Sequence, residues 1–221
     1  MTQKTWDAVD DYINTALVKP DAALAKAAEA SIAAQLPDIA VAPNQGKLLM
    51  LLAMSIGAKR ILEIGTLGGY STIWLARALP PGGRLISLEA DPHHAAVARA
   101  NIEAAGLSGR VEIRIGRAIE TLPAISEGPF DFCFIDADKP GNPDYFAWAL
   151  KLSRRGSIIV VDNVVRGGDV ADEKSRDPSV LGVRRLNTMI AAEKRVVATA
   201  IQTVGAKGHD GFAIALVTSE A

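Results

Sequence analysis

The 221-residue sequence contains a single cysteine, no marked excess of either charge and no long apolar run. Cys133 cannot form a disulfide or a thiolate metal cluster within one chain, so a bound metal is expected to have oxygen or histidine ligands. The 24 basic and 25 acidic residues are spread along the chain, which therefore lacks the basic footprint of a nucleic-acid-binding protein. A small, nearly neutral partner is favoured.

The N-terminal segment MTQKTWDAVDDYINTAL has acidic residues where a signal peptide needs a basic region followed by an apolar run. No stretch approaches the ~18 uninterrupted apolar residues of a membrane span. We therefore expect a cytoplasmic protein without a membrane segment. The length and the 49% hydrophobic content are typical of a single domain, with N-terminal helices over residues 1–57 and an α/β core over residues 58–221.

Apolar, strand-like runs alternate with helical stretches after the N-terminal region, and this alternation is typical of βαβ units around a parallel sheet. The predicted strands are Arg60–Ile64, Arg84–Glu89, Val111–Ile115, Phe130–Asp136 and Ser157–Asp162, followed by Val196–Val204 and Phe212–Val217 with GAKGHDG between them as a hairpin-like connection. The predicted helices of the core are Ser71–Leu79, Pro92–Ala105, Asp144–Leu152 and Val180–Glu193. We predict a Rossmann-like, doubly wound, mainly parallel seven-stranded sheet with helices on both faces and an N-terminal helical extension.

The residues that follow the strands are the candidates for function, because ligands of such sheets bind beyond the carboxyl ends of the strands. The first strand runs into EIGTLGGYS, whose glycines let the backbone turn closely against a ligand before a helix begins. An NAD(P)-dependent oxidoreductase would need further glycines at the positions of Leu67 and Tyr70, so that alternative is weakened. Glu89, at the end of the second strand, can accept hydrogen bonds from both hydroxyls of a ribose.

Oxygen ligands for a metal follow the fourth and fifth strands. The fourth strand ends in the sequence DADK, which contains Asp136, and the fifth ends in Asp162 and Asn163. Adjacent strand ends bring these three residues together, and two carboxylates with a carboxamide suit Mg²⁺, Mn²⁺ or Ca²⁺. About three octahedral positions remain open, and a vicinal dihydroxy aromatic can occupy two of them.

The motif EIGTLGGYS resembles the first motif of class I S-adenosylmethionine-dependent methyltransferases. Its GYS ending, together with DADK and the later DN, resembles the catechol and caffeoyl-CoA O-methyltransferase family, with a bacterial member as the expected type. The resemblance extends over roughly 44–217 and implies S-adenosylmethionine as the cofactor. The cofactor contacts that it implies are Glu63, Gly65, Ser71, Glu89, Ala118 and Asp136.

The same resemblance implies the reaction, which is methyl transfer to a hydroxyl of a catechol-like small molecule. It assigns Asp136, Asp162 and Asn163 as ligands of a divalent cation, most simply Mg²⁺, and Lys139 as the proton acceptor. The deprotonated oxygen would attack the sulfonium methyl in line, so holding the two partners at short distance should supply much of the acceleration. The resemblance also implies a homodimer.

The sequence allows other functions, and it leaves the roles of several residues unassigned. Some bacterial relatives methylate a hydroxylated uridine of tRNA, which the near-neutral charge disfavours, and a cofactor-binding module without catalysis is disfavoured by the complete DADK and DN set. Arg166 occupies the place of a tryptophan in the plant caffeoyl-CoA pattern, so it is either a surface arginine or a contact for an acidic acceptor. Asp138 and His209 are further candidates for the substrate region. His93 and His94 are predicted to lie at the surface, on the far side of Glu89.

Overall fold

A seven-stranded mixed sheet forms the centre of the protein, in the order β3-β2-β1-β4-β5-β7-β6. The computed structural model of the chain describes residues 2–19 and 21–219. The strands are β1 Arg60–Ile64, β2 Arg84–Glu89, β3 Val111–Ile115, β4 Phe130–Ile135, β5 Ser153–Asp162, β6 Val196–Gly205 and β7 Gly208–Val217. Strands β1 to β5 pair in parallel, whereas β7 is antiparallel to both β5 and β6. The strand order reverses between β1 and β4, which is where ligands of such sheets bind.

Eight α-helices surround the sheet in the described part of the chain, and three of them begin at a side-chain cap. The helices are α1 Gln3–Ile13, α2 Ala22–Ala33, α3 Pro43–Ser55, α4 Tyr70–Ala78, α5 Pro92–Ala104, α6 Ala118–Thr121, α7 Asn142–Lys151 and α8 Pro178–Ala192. The carboxylates of Asp21, Asp91 and Asp177 each accept hydrogen bonds from two backbone N–H groups at the start of α2, α5 and α8, which satisfies donors that a helix leaves unpaired.

The predicted fold class is confirmed, and the bounds of β1, β2 and β3 are those expected from the sequence. The hairpin-like connection predicted between the last two strands is confirmed, but its turn is shorter than the segment GAKGHDG. It is a two-residue turn at Ala206 and Lys207, and the pairing continues through His209 and Asp210 on β7. Gly208 has φ +86°, which suits a tight hairpin turn better than a long loop.

Both faces of the sheet are covered, which explains why the central strands are almost continuously apolar. All six residues of β4 are buried. Phe132 and Phe134 belong to the apolar cluster on the side of α3 and α4, whereas Cys133 and Ile135 belong to the cluster on the side of α7 and α8. Cys133 is a small core side chain, since it is 0% exposed.

The N-terminal helices are attached to the core by polar contacts. The buried carboxylate of Asp10, on α1, accepts hydrogen bonds from Asn44 Nδ2 (2.8 Å) and from the backbone N–H of Ala206 (2.7 Å). The Lys47 ammonium donates to the carbonyl of Leu17 (2.7 Å). These contacts support the proposal that residues 1–57 and 58–221 form one domain. Among the residues that the structure describes, no helix combines the length and apolar character needed to cross a membrane.

Candidate functional site

A cavity of about 690 Å³ opens at the carboxyl ends of β1, β2 and β4, within the size range of small-molecule sites. Most of the residues predicted for the site line it, namely Gly65, Ser71, Glu89, Ala118, Asp136, Lys139 and Asn163. Glu63 and Asp162 lie beneath its wall, with 0% and 4% of their surface exposed. The structure therefore brings all of the predicted site residues to one region.

The glycine turn after β1 lies directly against the end of β4. Gly65 has φ +98°, and a Cβ atom at this position would overlap the backbone carbonyl of Asp136. Only glycine combines this left-handed conformation with such a close approach. The glycine turn is thereby held next to the Asp136 end of the cavity.

Glu63 is held below the turn by three hydroxyl groups. Ser71 Oγ donates to Oε1 (2.6 Å), and Thr72 Oγ1 and Ser87 Oγ donate to Oε2 (2.5 and 2.7 Å). Burial raises the pKa of Glu63 to about 7, although the three hydroxyl donors oppose this rise. Of this group, Ser71 lines the cavity and Glu63 does not, so Glu63 is placed to act on a ligand through Ser71.

Glu89 clamps the glycine turn from the end of β2. Its Oε2 accepts the backbone N–H groups of Thr66 (3.1 Å) and Leu67 (2.8 Å), and its Oε1 accepts that of Asp91 (2.9 Å). A carboxylate has about four acceptor positions, so acceptor capacity remains for a ligand hydroxyl in the cavity. Ala118, the first residue of α6, borders the same end of the cavity.

The position of His94 corrects the prediction from the sequence. Instead of lying on the far side of Glu89, the imidazole lines the cavity, with Nδ1 3.7 Å from Glu89 Oε1. The cap at Asp91 and the proline that follows it begin α5 directly after the end of β2, so that His94 lies in its first turn. His93 is exposed, as predicted, and its Nε2 lies 2.9 Å from the carbonyl oxygen of Ala34.

An acidic pair and a buried amine occupy the other end of the cavity. Lys139 Nζ donates to Asp136 Oδ1 (2.8 Å), and only 8% of Lys139 is exposed. Burial and the negative charge of Asp136 raise the pKa of Asp162 above its ordinary value, against the lowering effects of Lys139, the Asn163 backbone N–H and the Gln45 side chain. Two carboxylates that are costly to ionise together fit a bound dication, which would stabilise both charged forms.

The ligand set available for such an ion includes an amide. Within residues 2–19 and 21–219, no three His, Cys, Asp or Glu side chains are grouped so that they could hold a metal. A cation at the strand ends would therefore need the carboxamide of Asn163 as a ligand, together with the carboxylates of Asp136 and Asp162. These hard oxygen ligands suit Mg²⁺, which usually keeps several waters.

Asp138 supports the turn that carries Lys139. Its carboxylate accepts hydrogen bonds from the Tyr145 hydroxyl (2.5 Å) and from the Gly141 backbone N–H (3.1 Å). Burial, together with the carboxylate of Asp138, raises the pKa of Tyr145. Tyr145 lines the cavity and was not identified from the sequence, because an aromatic residue on an apolar helix is also typical of a core.

Arg166 lies at the mouth of the cavity, and its guanidinium is paired with a neighbouring carboxylate. Its backbone N–H donates to Asp210 Oδ1 (3.0 Å), and its guanidinium lies 3.7 Å from Asp210 Oδ2. It lines the cavity and is about one-third exposed. His209 does not line the cavity, and its Nε2 lies 3.1 Å from Gln202 Oε1.

The N-terminal extension supplies a wall that no motif indicated. Ser31 and Ile32 of α2 and the segment 36–41 line the cavity, and Ser31 and Leu36 lie against Gly68 of the glycine turn. Asn101 Nδ2 connects α2 with the glycine turn, because it donates to the carbonyl oxygens of Gly68 (2.9 Å) and Ala27 (3.3 Å). The N-terminal extension thus covers part of the site.

The mixed seven-stranded sheet, with a glycine turn and a strand-end acid at the point where strand order reverses, defines a Rossmann-like methyltransferase. The chain belongs to the O-methyltransferase family, which it matches over residues 16–216. It is 54% identical over 220 residues to a catechol O-methyltransferase of Niastella koreensis, a match that covers 98% of this chain and 100% of that protein.

Solved structures of O-methyltransferases agree with this assignment. The Bacillus cereus enzyme in complex with S-adenosylhomocysteine has a TM-score of 0.96 and 55% identity, covering 98% of this chain and 100% of that one. The Streptomyces achromogenes enzyme involved in tomaymycin synthesis, in complex with S-adenosylmethionine, has a TM-score of 0.96 and 54% identity, covering 99% and 100%. The chain is an S-adenosylmethionine-dependent O-methyltransferase, as the sequence predicted. This assignment excludes the alternative that it is an NAD(P)-dependent oxidoreductase.

Proposed function

We propose that this protein transfers the methyl group of S-adenosylmethionine to a hydroxyl of a catechol-like small molecule, with the help of a divalent cation, most simply Mg²⁺. The observation that carries the proposal is the buried Lys139 amine, 2.8 Å from Asp136 Oδ1, in the cavity that also contains the glycine turn. A relative 54% identical to the chain is named a catechol O-methyltransferase, which supports the substrate class.

The acidic end of the cavity would bind the acceptor. Asp136, Asp162 and Asn163 would hold the cation, which when bound supplies charge stabilisation to a phenolate oxygen. Lys139 is the proposed proton acceptor for the substrate hydroxyl. Its burial keeps competing water away from the Nζ atom, and the ion pair with Asp136 fixes the position of that atom.

The other end of the cavity would bind the cofactor. We assign the ribose hydroxyls to Glu89, the methionine part to Gly65 and Ser71, the adenine side to Ala118, and to Asp136 a contact beside the methionine part. Glu63 would act indirectly, by orienting the Ser71 hydroxyl that donates to it (2.6 Å). Because both ends belong to one cavity, an acceptor oxygen can lie close to the sulfonium methyl, which favours in-line transfer.

Methyl transfer by a Lys139→Gln variant tests the proposal directly. General-base catalysis contributes typically ~10²–10⁴-fold, so turnover of catechol in Mg²⁺ should fall by at least about a hundredfold while S-adenosylmethionine affinity stays unchanged. Lys151→Gln is the control, because Lys151 is an exposed lysine that does not line the cavity. Unchanged turnover in Lys139→Gln would refute the role of Lys139. Methylation of tRNA in place of catechols would refute the substrate class.

We also propose that the protein is a homodimer. Strand β6 is at the edge of the sheet and exposes large apolar side chains, among them Val197 (67%), Ile201 (48%) and Val204 (49%). An exposed apolar edge strand is a surface that pairs readily with another chain. Light scattering of the purified protein should give twice the 23.3 kDa chain mass, and Ile201→Lys should shift it towards one chain. A monomeric wild-type protein would contradict this proposal.

A further inference from the structure

Three arginines stand side by side at the edge of the sheet opposite the active-site cavity. Arg60 and Arg84, the first residues of β1 and β2, are direct partners in the parallel pairing. Arg110 immediately precedes β3, and its carbonyl accepts the backbone N–H of Leu85 (2.8 Å), which places it beside Arg84. Neighbouring strands are about 4.8 Å apart. The three positively charged residues therefore lie next to one another at the starts of three adjacent strands.

None of these charges is neutralised within the described parts of the chain. Each guanidinium donates instead to one backbone carbonyl, and no acidic side chain lies within ion-pair distance of any of them. The carbonyls belong to Gly128, Gly109 and Leu79. Like charges at directly neighbouring positions of a sheet are destabilising, and the carbonyl contacts do not neutralise them, so an anion bound at this row would be stabilising.

The arginines border a cavity of about 450 Å³ that is separate from the active site. Leu85, Ile86, Val111 and Phe130 form its apolar part. The acidic side chains at its rim, Glu112 and Glu127, both pair with Arg114, and the hydrogen bonds from Arg114 lower the pKa of Glu127 to about 2. Because a fourth arginine holds both glutamates, the charge that the row presents to a ligand remains positive.

We propose that this cavity binds a small anion with two or more linked phosphate groups. A guanidinium presents a planar fork of donors that matches phosphate oxygens, and each of the three retains donors beyond its single carbonyl contact. A row of three such forks suits an extended anion better than a single phosphate. Pyrophosphate and the tail of a nucleoside diphosphate share this chemistry.

Titration calorimetry with pyrophosphate and with ADP tests the site. The protein should be saturated with S-adenosylhomocysteine and kept in EDTA at constant ionic strength, so that the active-site cavity and metal chelation do not contribute. Removing one charged donor to a phosphate should weaken binding about tenfold. We therefore expect saturable pyrophosphate binding by the wild-type protein and about tenfold weaker binding by Arg84→Gln and by Arg60→Gln. ADP binding tighter than pyrophosphate would support a nucleotide ligand, and equal binding would support the phosphates alone.

Arg99→Gln is the matched control, because Arg99 is an exposed arginine that also donates to one carbonyl, that of Ile113 (3.0 Å), but does not line the cavity. Unchanged S-adenosylhomocysteine affinity in each variant will show that the fold is intact, and Arg60→Gln keeps the test available if Arg84→Gln does not fold. The proposal is overturned if the wild-type protein shows no saturable binding, or if Arg99→Gln weakens it as much as Arg84→Gln does.

Discussion

Gly182, on α8, lies directly against the backbone carbonyl group of Lys139. A Cβ atom at Gly182 would overlap the carbonyl oxygen of Lys139 and lie 2.7 Å from its carbonyl carbon and 2.8 Å from the Cα atom of Pro140. These neighbours are backbone atoms, which cannot move aside as a flexible side chain can. Because Gly182 has no side chain, the turn that carries Lys139 can pack against α8, where the Lys139 amine reaches Asp136.

A methyl group at Gly182 should therefore disturb catalysis more than cofactor binding. We expect Gly182→Ala to cost about 1–3 kcal/mol of unfolding free energy through overpacking and to lower kcat at least tenfold, with the Kd for S-adenosylmethionine nearly unchanged. Gly109→Ala is the control, because nothing lies within 4 Å of a Cβ built there. Equal effects on kcat in the two variants would contradict this reading.

Cofactor affinity should depend on Glu89. Loss of a charged hydrogen-bonding partner costs ~1.5–3 kcal/mol, or roughly tenfold to over a hundredfold in affinity. Calorimetry on Glu89→Ala should show a loss of this size. Because Glu89 also holds Thr66 and Leu67 of the turn, the variant Glu89→Gln, which keeps an acceptor oxygen, should lose less. Unchanged affinity in both variants would exclude the ribose assignment.

Turnover should require a divalent cation held at Asp162. The nearly isosteric change Asp162→Asn removes one ligand charge from the end of β5, so we expect turnover to fall at least a hundredfold while S-adenosylmethionine binding remains, because that ligand would bind at neighbouring strand ends. EDTA should have the same effect on the wild-type protein, and added Mg²⁺ should restore activity. Full activity in EDTA, with no metal retained on analysis, would exclude the metal mechanism.

The buried Glu63 should make stability fall as the pH rises. Its pKa is raised from 4.5 to about 7 in the folded protein, so between these values the folded state holds a proton that the unfolded chain has released. This contribution is fully present below about pH 4.5 and is lost as the pH rises through about 7. In EDTA, the unfolding free energy of the wild-type protein should fall more between pH 5 and 8 than that of Glu63→Gln, by at most about 3 kcal/mol. Parallel pH profiles would show that Glu63 is charged throughout.

Arg166 should favour acidic acceptors, and Asp210 should limit the preference. At a partly exposed site we expect Arg166→Ala to reduce the preference for caffeate over a neutral catechol by about 1 kcal/mol, or roughly fivefold in kcat/KM. Asp210→Asn should increase the preference, because it removes the charge 3.7 Å from the guanidinium while keeping an acceptor for the Val165 and Arg166 N–H groups. If neither ratio changes, Arg166 is an ordinary surface residue.

The strand ends were predictable because their chemistry is local. The motif that begins at Glu63 and the later DADK and DN follow apolar strands, and parallel strands place their carboxyl ends at one edge of the sheet. The same reasoning did not identify Thr72 and Ser87, whose hydroxyls hold Glu63. Hydroxyl residues on a helix and a strand have no periodic signature that distinguishes a buried network from a surface.

The sequence by itself determined the α/β alternation, the sheet class and the polar groups that meet at its carboxyl edge, because each follows from side-chain periodicity and from residues adjacent to a strand. Only the tertiary structure decided which distant segments face one another. It placed His94 over Glu89, Ser31 against Gly68 of the glycine turn, and Arg60 beside Arg84. These contacts depend on how helices are rotated and how strands are ordered, which many weak packing interactions between distant residues fix together.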